Sequence, residues 1–466
     1  FSYKTMHTKS KLSLLILLAL FFVLTGLGCK TSNEAAQFPD LTLEYWGVFE
    51  DSGAIKSLTN PYSRRHPKIR LSYTKLREDE YDDRMLKGWA LGEGPDLFMI
   101  PNTRIREFLE FITPMPTTMQ APVMIEQGTI KKETIEKVET YTGYTTRQLR
   151  DTFLDVVYDD VVINNQIYAL PYSIDTLSVF YNRDILRANN IALPAGNWSE
   201  LIEQAKIISK LDANDNLVQS TIALGTTENV PAAFDIMSTL MMQVGVEMSD
   251  ARGARFQSNP ESLSAIQFYL SFAQKGLQNY SWNDKMPNAL EAFTSGKLAY
   301  FIGYPYHKQL IQETNPNLDF DIIPMFAPEN AGTLPNYASY WVTVVAKPPD
   351  NAAQIEKKKA EVAWQYLFES TQARNVRPFL NNTANPRTTA LRALVDEQKS
   401  DFALGPFAQN LLNARSWYRG YDYEFAEKTF LDMIDQVKNA LSTNVSPLGF
   451  IGAAGDLISQ SYTPRR

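Results

Sequence analysis

Residues 168–184 read Tyr-Ala-Leu-Pro-Tyr-Ser-Ile-Asp-Thr-Leu-Ser-Val-Phe-Tyr-Asn-Arg-Asp. Apolar runs at 167–172 and 177–181 predict two strands, because short runs rich in aromatic and β-branched residues favour buried strands. The residues between these runs connect the two strands, and a helix is predicted after Asp184.

Upstream of this stretch, strand-like and helix-like segments alternate. Residues 41–46 alternate apolar and other side chains as a strand does, and a polar stretch then leads into a helix that begins near Ala54. A second strand is predicted at 69–73, a charged helix at 81–91 and a buried strand at 95–100. This alternation is typical of an α/β layer with a mostly parallel sheet.

Downstream, the sequence predicts a helix at 289–294, strands at 298–302 and 340–345, and helices at 360–369, 404–413 and 424–441. The strand at 298–302 runs into Gly303-Tyr304-Pro305-Tyr306. Within 113–150 three prolines interrupt any early helix, and residues 129–140 are helix-like but very polar. We interpret 113–150 as a surface excursion.

Four phrases occur in a fixed order along the chain. They are Gly94-Pro-Asp-Leu-Phe98, the stretch at 168–184, Asn197-Trp-Ser-Glu-Leu201, and Ala289-Leu-Glu-Ala-Phe-Thr-Ser-Gly-Lys-Leu-Ala299. Together they resemble the extracellular solute-binding proteins of ABC importers, in the group whose best-known members bind sugars and maltodextrins. The resemblance covers roughly residues 38–441, apart from 113–150, which is longer than the family usually has.

The resemblance implies an α/β, two-lobed periplasmic-binding-protein fold of the type II-like kind, with hinge crossovers and a cleft between the lobes. Crossovers are expected near 172–176, 303–306 and 336–345. Lobe one is then expected to hold residues 38–172 plus about 304–338. Lobe two is expected to hold 175–302 plus about 343–466. Because open sheets bind ligands beyond the carboxyl ends of their strands, the site is expected between the facing strand ends.

Sugars present apolar ring faces that stack on aromatic side chains, and hydroxyls that pair with acidic, amide or guanidinium groups. Side chains of these types follow the predicted strands or lie in the crossovers. By resemblance, Tyr306 matches an aromatic that stacks on sugar, Asp175 matches a carboxylate that accepts from hydroxyls, and Arg387 lies in a segment that often reaches the cleft. The candidates for ligand contact are Trp46, Glu50, Asp51, Asn102, Arg104, Asp175, Tyr304, Tyr306, Trp341 and Arg387.

Several of these aromatic and acidic residues also have a purely structural interpretation. Trp46 lies in an apolar strand and fits a core position equally well, and Asp96 after Pro95 fits a turn or capping role. Trp198 and Trp364 fall on helices with helical apolar spacing, which predicts core positions. Trp282 and Trp417 fall in loop-like segments, and the sequence does not decide between a cleft position and a surface position for either ring.

The single cysteine, Cys29, follows an apolar run at 12–24 that is preceded by three lysines. This pattern resembles a bacterial lipoprotein signal, which implies cleavage before Cys29, lipidation of its sulfur, and a tether at 29–37 after a signal peptide at 1–28. The protein is then expected on the extracytoplasmic face of the cell membrane, lipid-anchored, or in the periplasm. An uncleaved membrane anchor is the alternative, although the run is short for a bilayer.

Composition and motifs argue against several other functions. The formal net charge of -7 lacks the excess of Lys and Arg that a nucleic-acid-binding face needs. Of the three histidines, His7 lies in the predicted signal peptide, so His66 and His307 alone cannot form a multi-histidine zinc site. Neither a phosphate-binding nor a dinucleotide-binding glycine motif is present. We therefore expect no enzyme, no metal and no cofactor, although paired carboxylates leave a glycosidase open.

The sequence thus favours a monomeric binding protein that captures a mono- or oligosaccharide, closes around it and delivers it to the transmembrane subunits of an ABC permease. A polyamine is an alternative ligand, because Glu50, Asp51 and Asp175 with Trp341 would form an acidic cleft with an aromatic wall. A scaffold or adhesion lipoprotein is the other alternative, and it predicts no ligand-induced closure.

Overall fold

The computed structural model describes residues 38–128, 132–332 and 334–463. The predicted signal peptide, Cys29 and the tether therefore lie outside the described residues. The described chain folds around two separate apolar cores, one for each lobe.

Lobe one is built on a five-stranded sheet with the order β2-β1-β3-β18-β8. Its strands are β1 (Leu41–Gly47), β2 (Ile69–Lys75), β3 (Leu97–Pro101), β8 (Ala169–Leu170) and β18 (Trp341–Val345). The first three are parallel, as the alternation of strands and helices predicts, while β18 runs antiparallel to β3. Its helices are α1 (Ser52–Arg65), α2 (Glu78–Leu91), α3 (Thr146–Thr152), α4 (Asp155–Val161), α11 (Gln354–Ser370), α12 (Ala373–Asn382) and α13 (Arg392–Lys399).

Lobe two has a second five-stranded sheet with the order β11-β12-β15-β10-β16. These strands are β10 (Ser178–Asn182), β11 (Lys210–Leu211), β12 (Leu217–Ile222), β15 (Leu298–Gly303) and β16 (Phe320–Pro324). The helices are α5 (Arg183–Ala188), α6 (Trp198–Ile208), α7 (Ala233–Gln243), α8 (Glu261–Ser271), α9 (Ala289–Thr294), α10 (Tyr306–Thr314), α14 (Gly405–Ala408, between the two cores), α15 (Tyr423–Ser442) and α16 (Leu448–Gln460). Two short hairpins, β6 (Val162–Ile163) with β7 (Gln166–Ile167) and β13 (Ser249–Asp250) with β14 (Gly253–Ala254), complete the lobes.

Three strands join the lobes as a small hinge sheet. They are β9 (Asp175–Thr176), β17 (Asn336–Ser339) and β19 (Ala414–Arg415), in the order β19-β17-β9. The chain therefore crosses between the lobes three times, and the first two hinge strands lie within the segments 172–176 and 336–345 where crossovers were predicted.

The crossover predicted near 303–306 is wrong, and so are the lobe boundaries that depended on it. After Gly303 the chain stays in lobe two, because Ile311 of α10 is fully buried in the second core and β16 pairs with β10. Residues 343–413 are then mostly lobe one, because β18 pairs with β3 and Trp364 of α11 lies in the first core. The third crossover is β19, after which α15 and α16 return to lobe two.

The segment 113–150 is a β-hairpin on the surface of lobe one, so the helix-like interpretation of 129–140 is wrong. Strands β4 (Thr118–Gln127) and β5 (Glu133–Thr142) pair antiparallel over their whole length. Lys68 Nζ lies 3.0 Å from Glu136 Oε1, and the buried His66 bridges the Pro122 carbonyl and Glu369 at 2.8 and 3.1 Å. These contacts fasten the hairpin to the lobe.

Two of the tryptophan predictions are confirmed and two are wrong. Trp198 and Trp364 lie in the cores, as their helical spacing predicts. Trp282 and Trp417 are also buried in the core of lobe two, so neither the cleft nor the surface interpretation holds for them. Their indole nitrogens donate to Asn229 and Ser238, which satisfies the polar end of each ring.

Candidate functional site

The sheet of lobe one presents the carboxyl ends of β1, β2 and β3 at one edge. Strand β18 runs the other way, and Trp341 at its start pairs with Pro101 at the end of β3. The loop after β1, which carries Glu50, and the loop after β3 therefore lie at the same edge as Trp341. This edge forms the lobe-one wall of the cleft.

The sheet of lobe two presents a matching edge beside the hinge. Ser178 at the start of β10 pairs with Gly303 at the end of β15. The segment with Tyr304 and Tyr306 therefore lies at this edge, which forms the lobe-two wall, and the hinge strand with Asp175 connects this edge to the lobe-one wall. The fold thus brings most of the predicted aromatic and acidic candidates to one cleft.

Arg387 joins two of the predicted carboxylates at the lobe-one wall. Its Nε lies 2.9 Å from Glu50 Oε1, and its Nη1 donates to Asp175 Oδ2 at 3.0 Å. All three side chains are nearly buried, with exposed fractions of 13%, 8% and 12%. Burial raises the pKa of Asp175 and of Glu50, and the Arg387 charge opposes both shifts. The Arg387 charge therefore offsets one of the two carboxylate charges.

Trp341 forms an aromatic corner at the same wall. Its ring meets Phe49 edge to face at 5.0 Å between ring centroids and lies 6.1 Å from the ring of Tyr81. The Arg387 guanidinium lies 5.7 Å from the centroid of Phe49. An aromatic surface therefore lies directly beside the buried ion pairs.

Tyr306 is the exposed aromatic of the lobe-two wall. It opens α10, stacks on His307 at 4.1 Å between ring centroids, and leaves 39% of its surface exposed. Burial of part of the ring raises the pKa of its phenol to about 12, and the charges of Asp235, Asp175 and Glu78 add to the shift. Carboxylates from lobe two, the hinge and lobe one therefore lie near enough for their charges to disfavour ionisation of this phenol.

Tyr304 positions an acid that the sequence analysis did not identify. The Tyr304 hydroxyl donates to Asp235 Oδ2 at 2.7 Å, and the tyrosine itself is buried. Burial raises the pKa of Asp235 to about 7, against the hydrogen bond from Tyr304 and the nearby charge of Arg419. Tyr304 thus acts on the site through Asp235. An acid at the start of the otherwise apolar α7 was the signal that could have revealed it.

Arginines and aromatic rings connect the two lobes at the far side of the cleft. Arg419 of lobe two donates from Nη2 to Thr103 Oγ1 of lobe one at 3.3 Å. Arg104 of lobe one lies over the ring of Tyr423 of lobe two at 5.3 Å, while holding Glu107 and Asp82 in ion pairs. The predicted Arg104 is therefore a contact between the lobes, and Arg419 and Tyr423 are partners that the sequence did not reveal.

Three other predicted residues have structural partners instead of an open position in the cleft. The ring of Trp46 packs over Gly88 of α2, as its core interpretation allowed. Asp51 lies at the start of α1, more than half exposed, and pairs with Lys75 at 2.6 Å. Asn102 is buried and donates to Asp160 at 2.8 Å, in a cluster that also contains Tyr340 and Ser416.

Metal ligation and membrane crossing find no support in residues 38–128, 132–332 and 334–463. Within these ranges no three His, Cys, Asp or Glu side chains gather as metal ligands would. In the same ranges, no helix is both long and apolar enough to span a bilayer.

Comparison with curated sequences finds distant relatives. A binding protein of Brucella abortus is 24% identical over 235 residues, which cover 49% of this chain and 52% of the relative, so this chain spans about half the length of that relative. The galactooligosaccharide-binding protein of Bacillus subtilis is 19% identical over 398 residues, which cover 82% of this chain and 84% of the relative.

Comparison with solved structures confirms the fold. The cyclic alpha-maltosyl-1,6-maltose binding protein from Arthrobacter globiformis superposes with a TM-score of 0.69 at 14% identity, covering 91% of this chain and 99% of that one. The type of two-lobed fold that the sequence predicts is therefore correct. The family model described as bacterial extracellular solute-binding protein matches residues 46–368, which include parts of both lobes and two of the three hinge strands. By that match, this chain belongs to the bacterial extracellular solute-binding proteins.

Proposed function

We propose that this protein binds a carbohydrate in the cleft between its lobes, without chemical turnover, and delivers it to an ABC permease. The observation that carries the proposal is the exposed ring of Tyr306 at the lobe-two wall, with the carboxylates of Asp175, Asp235 and Glu78 near enough for their charges to raise the pKa of its phenol. A flat apolar face surrounded by hydrogen-bond acceptors matches the two surfaces of a sugar ring. Two of the similar proteins are named for saccharide ligands, which supports the same class.

The pairing of charges at the lobe-one wall favours a neutral ligand over a polyamine. Arg387 engages both Glu50 and Asp175 and balances one of their two negative charges, which leaves a single net negative charge to hold a cationic ligand. Hydroxyl groups can still accept from the guanidinium and donate to the carboxylates without disturbing that balance. A sugar therefore suits the cleft better than spermidine.

Closure follows from the position of the binding groups. Tyr306 and Asp235 belong to lobe two, whereas Trp341 and Glu50 belong to lobe one. A ligand that contacts both walls gains those contacts only when the lobes are together, so it shifts the population toward the closed form. The closed form would then be the one that the permease recognises.

Thermal unfolding of the purified protein against a panel of mono- and oligosaccharides, spermidine and divalent metals tests the ligand class. A ligand at 100 times its dissociation constant should stabilise the protein by about 2.7 kcal/mol. Stabilisation by one glycan class supports the proposal. Stabilisation by spermidine alone would replace it with polyamine binding, and a flat response across the panel would favour a scaffold.

The proposal includes the lipid anchor at Cys29, with the protein held at the extracytoplasmic face of the membrane. Support comes from the sequence pattern before Cys29, since these residues lie outside the described structure. Mass spectrometry of the membrane-extracted protein should find a new amino terminus at Cys29 carrying acyl chains. An intact N-terminal segment in the extracted protein would contradict the anchor while leaving the ligand proposal unaffected.

A further inference from the structure

The surface hairpin of lobe one has two long edges, and its β4 edge is covered. The Gly143 N–H donates to the Thr117 carbonyl at 3.0 Å, and the ladder continues in this register through both strands. Residues with odd numbers therefore bond across the hairpin, and residues with even numbers point their backbone groups away from it. On β4, the outward Gln120 N–H donates to Glu361 of α11 at 2.6 Å, and Pro122 has no N–H to satisfy.

The β5 edge of the hairpin is open. Its outward backbone N–H and C=O groups make no hydrogen bond within the described part of the chain, and they belong to Thr134, Glu136, Val138, Thr140 and Thr142. The side chains of all three threonines are exposed, so this edge is accessible from outside. β5 is ten residues long, whereas proteins usually keep an unprotected edge strand short. Such a row of unpaired backbone groups is a template for another strand.

The sequence of β5 suits pairing with a second copy of itself. Two copies related by a two-fold axis pair antiparallel, and outward groups must meet outward groups, so the axis passes through a residue and not between two residues. An axis at Glu136, Lys137 or Glu139 puts that charged residue directly opposite its own copy, which destabilises a sheet. Among the four central positions, only an axis at Val138 avoids this repulsion.

The same register also creates favourable pairs between the copies. Lys137 of each copy lies opposite Glu139 of the other, and Ile135 lies opposite Tyr141, so each pair occurs twice. Opposite charges and pairs of an aromatic with a β-branched side chain both stabilise neighbouring strands. Lys137 is exposed, and Glu139 already accepts from Arg65 at 3.0 Å but has acceptor sites to spare. Charge complementarity thus favours a second copy at this edge.

We propose that two copies of this protein associate through β5, antiparallel and centred on Val138, in place of the monomer expected from the sequence. The two hairpins then form one four-stranded sheet with the order β4-β5-β5-β4. The hairpin is fastened to the lobe by His66 and Lys68, which precede β2, whereas the cleft lies at the carboxyl end of that strand. Association therefore leaves both clefts open and does not depend on which ligand they hold.

Sedimentation velocity of the purified full chain in detergent tests this association. We expect a dimer at about 100 µM protein. Lys137→Glu places two glutamates opposite Glu139 of the partner copy, and Glu139→Lys places two lysines opposite Lys137, so each variant should raise the dissociation constant of the dimer about tenfold. An equimolar mixture of the two variants should recover the parent value, because each glutamate of one copy then faces a lysine of the other.

Two further variants separate the outcomes. Lys210→Glu reverses an exposed lysine on β11 of lobe two and should leave the dissociation constant unchanged. Thr140→Pro removes an outward N–H without touching the ladder of the hairpin itself, and it should abolish the dimer while the affinity for glycans stays the same. Association through the N-terminal segment would survive all these substitutions. A parent protein that stays monomeric, a dimer that Lys137→Glu and Thr140→Pro leave intact, or no recovery in the mixture would overturn the proposal.

Discussion

On the lobe-one wall, Glu50 and Asp175 share the guanidinium of Arg387, whereas on the lobe-two wall Asp235 accepts from the neutral hydroxyl of Tyr304. The first wall therefore holds its acids by opposite charge, and the second holds its acid by a hydrogen bond. One cleft thus combines a wall whose stability depends on paired charges with a wall whose stability changes with pH.

The largest effect is expected from Arg387→Met, which breaks the charge balance of the lobe-one wall. The variant leaves two nearly buried carboxylates without their counter-charge, and such a loss costs about 3–5 kcal/mol. Urea unfolding at pH 8 measures the free energy of unfolding. Adding Glu50→Gln and Asp175→Asn should recover part of the loss. A cost below about 1 kcal/mol would show that the wall does not depend on Arg387.

The free energy of unfolding should depend on pH through Asp235 of the lobe-two wall. Burial raises the pKa of Asp235 to about 7, above its unfolded value of about 4, so the native protein holds this proton more tightly. The stability present below pH 4 is then lost as pH rises through about 7. Asp235→Asn removes this pH-dependent loss of stability. The difference in free energy of unfolding, variant minus parent protein, should therefore increase by about 2–4 kcal/mol from pH 4 to pH 8.

Asp250 provides the matched control of opposite sign. A hydrogen bond from Arg255 lowers the pKa of Asp250 to about 2, so its stabilising contribution is present above pH 4 and is lost as pH falls toward 2. Asp250→Asn should therefore lower stability at neutral pH and lose that effect in acid. Parallel pH profiles for the Asp235 and Asp250 variants would contradict the role given to Asp235.

Tyr306→Ala addresses ligand binding at the lobe-two wall. Removing an exposed ring that stacks on a sugar should lower affinity about tenfold, with little change in the free energy of unfolding. Calorimetry with the glycan identified by the panel measures the loss. Tyr306→Phe keeps the ring and should retain most of the affinity. Equal losses for both variants would place the contribution in the hydroxyl instead of the ring.

The smallest effect is expected from Thr103→Val, which removes a hydrogen bond that joins the two lobes. The variant removes the acceptor for Arg419 Nη2 across the cleft, a hydrogen bond worth about 0.5–1 kcal/mol. Ligand affinity should fall about threefold, and X-ray scattering of the free protein should show a larger radius. Thr134→Val on the surface hairpin is the control. An unchanged scattering radius would mean that this contact does not hold the lobes together.

Much of the fold was predictable because the informative signals are local. The stretch at 168–184 forms β8, β9 and β10 at the hinge, close to its predicted strands. Tyr304 and Tyr306 follow β15 as expected, because a strand that ends in Gly303-Tyr304-Pro305 cannot continue its hydrogen bonding through the proline. Local pattern thus located the hinge and one wall.

The lobe boundaries were not predictable because they depend on pairing between distant strands. The apolar run in β18 predicts a buried strand, but nothing in it shows that the partner is β3, more than two hundred residues earlier. The hairpin was missed for a different reason. Strand β5 is polar but rich in Thr, Ile, Val and Tyr, so its β propensity, and not its hydropathy, was the better signal.

The candidate site was partly predictable by residue type. Asp175, Glu50 and Arg387 all reach the cleft, yet their pairing into one buried cluster depends on the hinge geometry. Asn102 was chosen as an amide after a strand, but Asp160, Tyr340 and Ser416 surround it. Sequence reasoning identifies polar groups near strand ends, and only packing shows which of them are already paired.

The three passages of the chain through the hinge also have a consequence for biogenesis. Lobe one lacks its strand β18 until residue 345 has been synthesised, and lobe two lacks α15 and α16 until residue 460. Neither core can be completed from the first half of the chain, and such distant contacts form slowly. A growing chain with this topology therefore stays incompletely folded until translation is nearly finished.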